Sequence, residues 1–223
     1  MVKLAAMISG GKDSIYSLNW ALQQGWDVSC LITIRSKNKA SYMFHTPNIN
    51  VVEKQAEAIG IPLIYADTEG EKEKELDDLK QALQKAKQKY QISGIILGAV
   101  ASDYQEERFN RICSELDLKT YSPLWHKNQK DLLLKMIDEG FDIRISQIAA
   151  FGLNKKWLGR KIDFDAYQEL IELNRRYGTS IMGEGGEYES LVVNAPFFKH
   201  PIEIKNSRII MENDCTGIWV VEV

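Results

Sequence analysis

Cysteine is scarce and scattered. Cys30, Cys113 and Cys215 stand too far apart in the chain to form a C-x-x-C redox or zinc pair or a disulfide framework. They read as buried thiols. No apolar run approaches the roughly 20 residues of a membrane span, and the opening "MVKLAAMISGG" passes into a glycine turn without a signal-peptide cleavage pattern. The expectation is a cytoplasmic protein with no membrane partner. Excess basic charge is missing too: 28 Lys and Arg face 31 Asp and Glu, for a formal net charge of -3. That excludes a broad electrostatic grip on nucleic acid. His126 and His200 have no His or Cys at metal-ligand spacing and read as structural or surface residues. Repeats and low-complexity segments are absent.

What the chain does contain is an alternation of short apolar strands and amphipathic helices. "KLAAMIS", "DVSCLITI", "PLIYADT" and "SGIILGAV" read as strands. Between and after them, "SIYSLNWALQQG", "INVVEKQAEAIG", "EKEKELDDLKQALQKAKQKY" and "SDYQEERFNRICSELDL" read as helices. Such an order predicts an α/β fold, a mostly parallel sheet with helices on both faces. Ligands of such sheets bind beyond the carboxyl ends of the strands. Residues 9 to 14, 98 to 105 and the stretch after Ile34 are therefore expected on one rim. A soft boundary falls near Leu118 to Leu124, giving domains 1–120 and 121–223. The second is a smaller α+β unit with a helix in "PLWHKNQKDLLLKMIDEG", a strand in "FDIRISQIAAF", a helix in "DFDAYQELIELNRRYG" and antiparallel strands turning at Asn213 and Asp214.

The stretch "MISGGKDSIYSL", residues 7 to 18, carries the chemistry. A strand that ends in Ser9-Gly10-Gly11 and feeds a helix aims several backbone amides at one spot, because glycine allows close approach and first-turn amides lack partners. That makes an anion site suited to phosphate. Lys12 adds a cation, and the Ser9 and Ser14 hydroxyls can donate to phosphate oxygens. Asp13 either caps the helix or holds a magnesium ion (Mg2+). Both charged residues are expected in an exposed turn.

A γ-phosphate-cleaving P-loop needs G-x-x-x-x-G-K followed by Ser or Thr. Ala6 stands five before Gly11 and Asp13 follows Lys12, so neither condition is met. The string S-G-G-x-D-S instead resembles the PP-loop of the ATP pyrophosphatases. Three further strings, "GAVASDYQEERFNRICSEL", "SPLW" and "GEGGEYES", follow in the order found in the diphthine-ammonia ligases, which the chain resembles over nearly its whole length. "FHTPN" and "EKQAEAIGIPL" are similar to that family as well. Some eukaryotic relatives carry extra C-terminal domains, so the chain looks like the minimal archaeal form.

The resemblance implies an AMP-forming ligase that uses ATP and Mg2+ to turn the diphthine carboxylate of elongation factor 2 into an amide, with free ammonium as nitrogen donor. An acyl-adenylate requires no enzyme nucleophile, and the chain shows no Ser-His-Asp or Cys-His signature. Lys12 and Asp13 would be catalytic, with Asp13 also the metal ligand. Ser9, Gly10, Gly11, Ser14, Thr33, Ile34, His45 and Ser102 would contact the nucleotide, Thr33 and Ile34 through backbone groups. Asp103, Tyr104, Gln105, Arg108, Trp125 and the turn Glu184, Gly185, Gly186, Glu187, Tyr188 would meet diphthine. Glu184 and Glu187 could draw in its trimethylammonium group, or hold ammonium and take its proton. Tyr104, Trp125 and Tyr188 could offer aromatic faces to the same cation. For Ser102 or Asp103 helix capping is the plainer role, and for Glu184 and Glu187 solvation in a turn. A homo-oligomer is compatible with all of this. Two other readings remain: a PP-loop tRNA-modifying enzyme, and a non-catalytic adenine-nucleotide sensor.

Overall fold

β1 (Lys3–Met7) alternates its side chains between two apolar layers, and that alternation organises the molecule. Leu4 and Ala6 join one buried cluster, Ala5 and Met7 the other. A strand buried on both faces needs neighbours on both edges. β1 pairs in parallel with β2 (Asp27–Ser36) and with β4 (Gly94–Ile96). β3 (Leu63–Thr68) and β5 (Lys119–Tyr121) complete a five-stranded sheet in the order β3-β2-β1-β4-β5. The computed structural model describes residues 2–38, 48–71 and 73–223, with the backbone alone at Tyr104 and Gln105.

The helices divide between the two layers according to their apolar stripes. α1 (Lys12–Gln23) and α2 (Val51–Ile59) put Ile15, Leu18, Val52 and Ala56 on the Leu4 side. α3 (Glu75–Tyr90) and α4 (Asp103–Glu115) put Leu79, Leu83, Phe109 and Ile112 on the Ala5 side. Glycines in left-handed backbone end α1 and α2, at Gly25 with φ 72° and Gly60 with φ 82°. The predicted α/β architecture is thus the observed one. β4 is shorter than its apolar run, because Leu97 to Val100 leave the ladder as a loop.

The segment read as a boundary contains an edge strand: Lys119–Tyr121 pairs in parallel with β4. Three residues are too few for a periodic signal. Beyond it come α5 (Gln129–Asp138), capped by the Asn128 side chain, and α6 (Phe164–Tyr177), capped by Asp163 and ended by Gly178. β6 (Asp142–Ala149), β7 (Tyr188–Asn194), β8 (Asn206–Asn213) and β9 (Thr216–Glu222) form an antiparallel sheet in the order β7-β6-β9-β8. Its inner residues Ile143, Ile145, Leu191 and Val192 belong to the same buried cluster as α1 and α2. Strand β7 is thereby laid against the start of α1, which places the site. Among the described residues no helix is long and apolar enough to cross a membrane.

Candidate active site

Between β1 and α1 the chain turns through Gly10, whose φ of +85° is left-handed and suits glycine. The Gly10 carbonyl accepts from the Val192 amide of β7 at 3.0 Å and from the Gln55 side chain at 3.0 Å. With that oxygen turned into the protein, the Gly11 amide points at the Ser9 hydroxyl, at 3.5 Å. Gly11 caps α1 without any side-chain bond. The Lys12 amide donates to the Ser190 hydroxyl at 3.1 Å. Among the described residues the Asp13 and Ser14 amides have no acceptor outside the protein's own first turn, where orphan amides are expected. The Ser9 and Ser14 hydroxyls lie 3.2 Å apart at the same spot. The loop after β4 closes in beside them: a Cβ on Gly98 would stand 2.7 Å from the Ser14 Cα. Residues 9 to 14 and the loop opening at Gly98 therefore share the rim, as expected for strand ends next to the point where the strand order reverses.

Lys12 is not in an exposed turn. It is 3% exposed, and its ammonium donates to Asp13 Oδ2 at 2.8 Å and to the Met182 carbonyl. The Tyr188 ring lies 5.3 Å away. Burial works to lower the Lys12 pKa, but Asp13, Tyr188 and Glu184 outweigh it and hold the group above its ordinary value. Around this cation stand two carboxyls of the second half. Burial, then repulsion from Asp13, push Glu189 up to about 7 against the pull of Lys12. The same two causes raise Glu184, against the opposing influence of the Ala101 amide. A buried cation and protonatable carboxyls thus sit at the mouth of an amide-lined turn.

Other predicted residues take different places. Glu187 accepts from the Ser180 and Gly185 amides, both at 2.8 Å, so its carboxylate holds the turn together instead of facing a ligand. Tyr188 is 2% exposed, its face is turned to Lys12, and its hydroxyl donates to the Ile181 carbonyl. It offers no free face to a second cation. Gly185 and Gly186 are exposed at the tip, Gly186 with φ +80°. Trp125 is half-buried and stacks on His126 at 4.6 Å, and the His126 amide donates to the Val100 carbonyl, which sets the indole beside the loop after β4. Ser102 caps α4 without a side-chain bond, and Asp103 is exposed in its first turn. Arg108 is committed to Glu73 at 2.7 Å. The side chains of Tyr104 and Gln105, and His45 with residues 44–47 of its "FHTPN" string, lie outside the described residues. Thr33 and Ile34 are buried at 1% and 4% inside β2, which runs on to Ser36. β1 ends opposite Ile32, so on that edge the backbone at Thr33 and Ile34 extends past its neighbour.

Four groups at the site were missed by sequence reasoning: Gln55, the Met182 carbonyl, Glu189 and Ser190. Glu189 and Ser190 lie inside the "GEGGEYES" string, where the strand continuing from Tyr188 carries them to the α1 end. Gln55 had a signal of its own, a polar residue among Val51, Val52, Ala56 and Ile59 on the apolar stripe of α2. A backbone carbonyl such as Met182 leaves no mark in a sequence.

One buried acceptor, Asp13 Oδ1, has no partner. Such an orphan oxygen fits a hard cation. Among the described residues no group of three or more His, Cys, Asp or Glu could hold a metal unaided. The residues present therefore fit magnesium only in the manner usual for that ion, with one carboxylate and the rest of its shell from phosphate and water.

The fold and site define a phosphate-binding α/β protein of PP-loop type, in which a second, antiparallel sheet closes over the loop. Two family models divide the chain between them: the diphthamide synthase N-terminal domain matches residues 2–120 and the C-terminal domain residues 128–222. The chain belongs to the diphthamide synthase family. Diphthine–ammonia ligase of Homo sapiens is 34% identical, over 95% of this chain and 86% of the relative. That of Danio rerio is 33% identical, over 96% and 90%. That of Saccharomyces cerevisiae is 32% identical over 89% of this chain, which spans 34% of the longer yeast protein.

Proposed function

We propose that this protein is a diphthine–ammonia ligase: it joins ammonia to the carboxylate of diphthine on elongation factor 2, with ATP converted to AMP and pyrophosphate. The observation that carries the reading is the union of two half-sites, since Lys12 of the phosphate loop bonds to Met182 and its amide to Ser190. Phosphate groups and an acceptor side chain held by those two halves meet at one cation.

In this reading the amides of Asp13 and Ser14, the positive end of α1 and the hydroxyls of Ser9 and Ser14 bind the β and γ phosphates. The backbone edge of β2 at Thr33 and Ile34 lies open to adenine. Lys12 stabilises negative charge on the α phosphate as the carboxylate attacks it. Asp13 would hold magnesium, which adds charge neutralisation when bound. Glu189 and Glu184, raised toward neutrality, take the proton that ammonium must lose before nitrogen can attack. No enzyme nucleophile is needed. Two of the three cysteines, Cys30 and Cys113, are buried with thiols pushed up to about 12 by burial, which gives a thiol-dependent tRNA-modifying reaction no support.

The test is AMP and pyrophosphate release with ammonium present, with and without diphthine-bearing elongation factor 2. Release that requires the modified factor is expected. Release that ignores it would leave a nucleotide hydrolase, and no release at all a nucleotide sensor.

A further inference from the structure

Gln55 is completely buried, at 0% exposure, on a helix whose neighbours at the same face are aliphatic. Its amide nitrogen donates to two carbonyl oxygens, of Gly10 at 3.0 Å and of Val192 at 2.7 Å. Two facing acceptors decide which end of the amide is nitrogen, because the flipped group would set oxygen against oxygen. The Val192 amide donates to the same Gly10 carbonyl at 3.0 Å. One side chain of α2 thus joins the phosphate loop to the strand that carries Glu189 and Ser190.

Its other end is costly to bury. Oε1 has no partner, and it lies 3.0 Å from where a Cβ on Gly10 would stand. A methionine would fill the same volume without an orphan acceptor, so packing alone does not account for glutamine here. What only the amide supplies is two donors aimed at once into the loop and into β7.

We propose that Gln55 is a positioning residue for the phosphate loop. By holding the Gly10 carbonyl turned inward, it keeps the start of α1, with its Asp13 and Ser14 amides, facing the phosphates and holds the loop in register with β7. This rests on the nucleotide reading given above, and its test separates the two.

ATP affinity is to be measured by calorimetry for the parent, Gln55→Glu and Gln55→Met, each at about pH 6 and pH 8, with circular dichroism to confirm folding. A protonated glutamic acid can still donate to one carbonyl, whereas its carboxylate would face two oxygens. The ratio of Gln55→Glu to parent dissociation constant is therefore expected to rise about tenfold or more between the two pH values, while the Gln55→Met ratio stays flat. Gln55→Met loses both bonds at constant volume and should weaken ATP about tenfold at either pH. Should Gln55→Glu unfold at the higher pH, Gln55→Met decides. Parent-like ATP affinity in folded Gln55→Met, or a Gln55→Glu ratio indifferent to pH, overturns the proposal. A parent that binds no ATP overturns the nucleotide reading itself.

Discussion

The Lys12 ammonium donates to the Met182 carbonyl, 170 residues away along the chain. The cation of the phosphate loop is therefore also the cation on which the second sheet's turn is anchored, and its loss cannot be confined to catalysis. In Lys12→Ala, Asp13, Glu184 and Glu189 would face one another without a counter-charge. Breaking a buried pair in this way costs about 3–5 kcal/mol, and losing a charge that meets the transition state costs about 2–4 kcal/mol. Both a lowered melting temperature and a loss of AMP formation are expected. Asp13→Asn, which keeps shape and hydrogen bonding, should retain the fold and lose magnesium-dependent turnover. Full AMP formation by both variants would sink the site assignment.

Glu189 gives the protein a pH-dependent stability. Its pKa stands at about 7 when folded and near the ordinary 4.5 when unfolded, so the folded state binds the extra proton. Stability from this group is full below pH 4.5 and is lost as pH rises toward 7, with no further loss above. Glu189→Gln removes that slope and should melt higher than the parent at pH 8, by on the order of 1–3 kcal/mol in unfolding free energy. Parallel melting curves of the two proteins against pH would refute it. The same variant should lose amidation, since glutamine accepts no proton from ammonium.

Glu184 and Glu187 look equivalent in "GEGGEYES", yet they sit in opposite roles. Glu187 binds two amides of its own turn, and bonds to a charged acceptor are worth about 1.5–3 kcal/mol each. Glu187→Ala should therefore lower the melting temperature and turnover together. Glu184→Gln should leave the melting temperature unchanged or higher and lower turnover on the modified factor alone. In both variants, calorimetric ATP affinity is expected to stay close to that of the parent. Loss of ATP binding in Glu184→Gln would move that residue to the nucleotide.

The layered sheet was readable in advance because β1 to β3 and α1 to α4 are long or periodic enough to announce themselves, because β4 sits in the longer apolar run "SGIILGAV", and because glycines such as Gly25, Gly60 and Gly178 mark helix ends. Lys119–Tyr121 was not, for its three residues are exposed or half-buried and lie in no apolar run. The phosphate loop was legible as a local string, from Ser9 to Ser14. Its surroundings were not, because burial is a property of what packs on a segment. Nothing between residues 7 and 18 says that β7 will lie across it and bury Lys12. Tyr188 illustrates the same limit: an aromatic beside two acids suits a cation, and it does meet one, the protein's own Lys12.

Of the three aromatics expected at the trimethylammonium of diphthine, Trp125 is the one whose described side chain is neither fully buried nor turned onto Lys12. A quaternary cation donates no hydrogen bonds, so selectivity for it rests on aromatic faces and nearby carboxylates. Trp125 stacks on His126, whose amide donates to Val100 in the loop after β4, and the next residue of that loop, Ala101, acts through its amide on Glu184. Trp125 and Glu184 are therefore both tied to the loop after β4. A cation–π contact is worth about 0.5–2 kcal/mol, which corresponds to roughly a two- to thirty-fold change in an equilibrium constant. Trp125→Leu should raise the apparent KM for the modified factor within that range, with calorimetric ATP affinity unchanged, and Trp125→Phe should recover part of the loss. Factor whose precursor side chain lacks the methyl groups should react poorly with the parent and be little affected by Trp125→Leu, since the variant removes only what the methylated cation gains. Equal rates on methylated and unmethylated factor at the same subsaturating concentration would show that Trp125 serves the loop and not the cation.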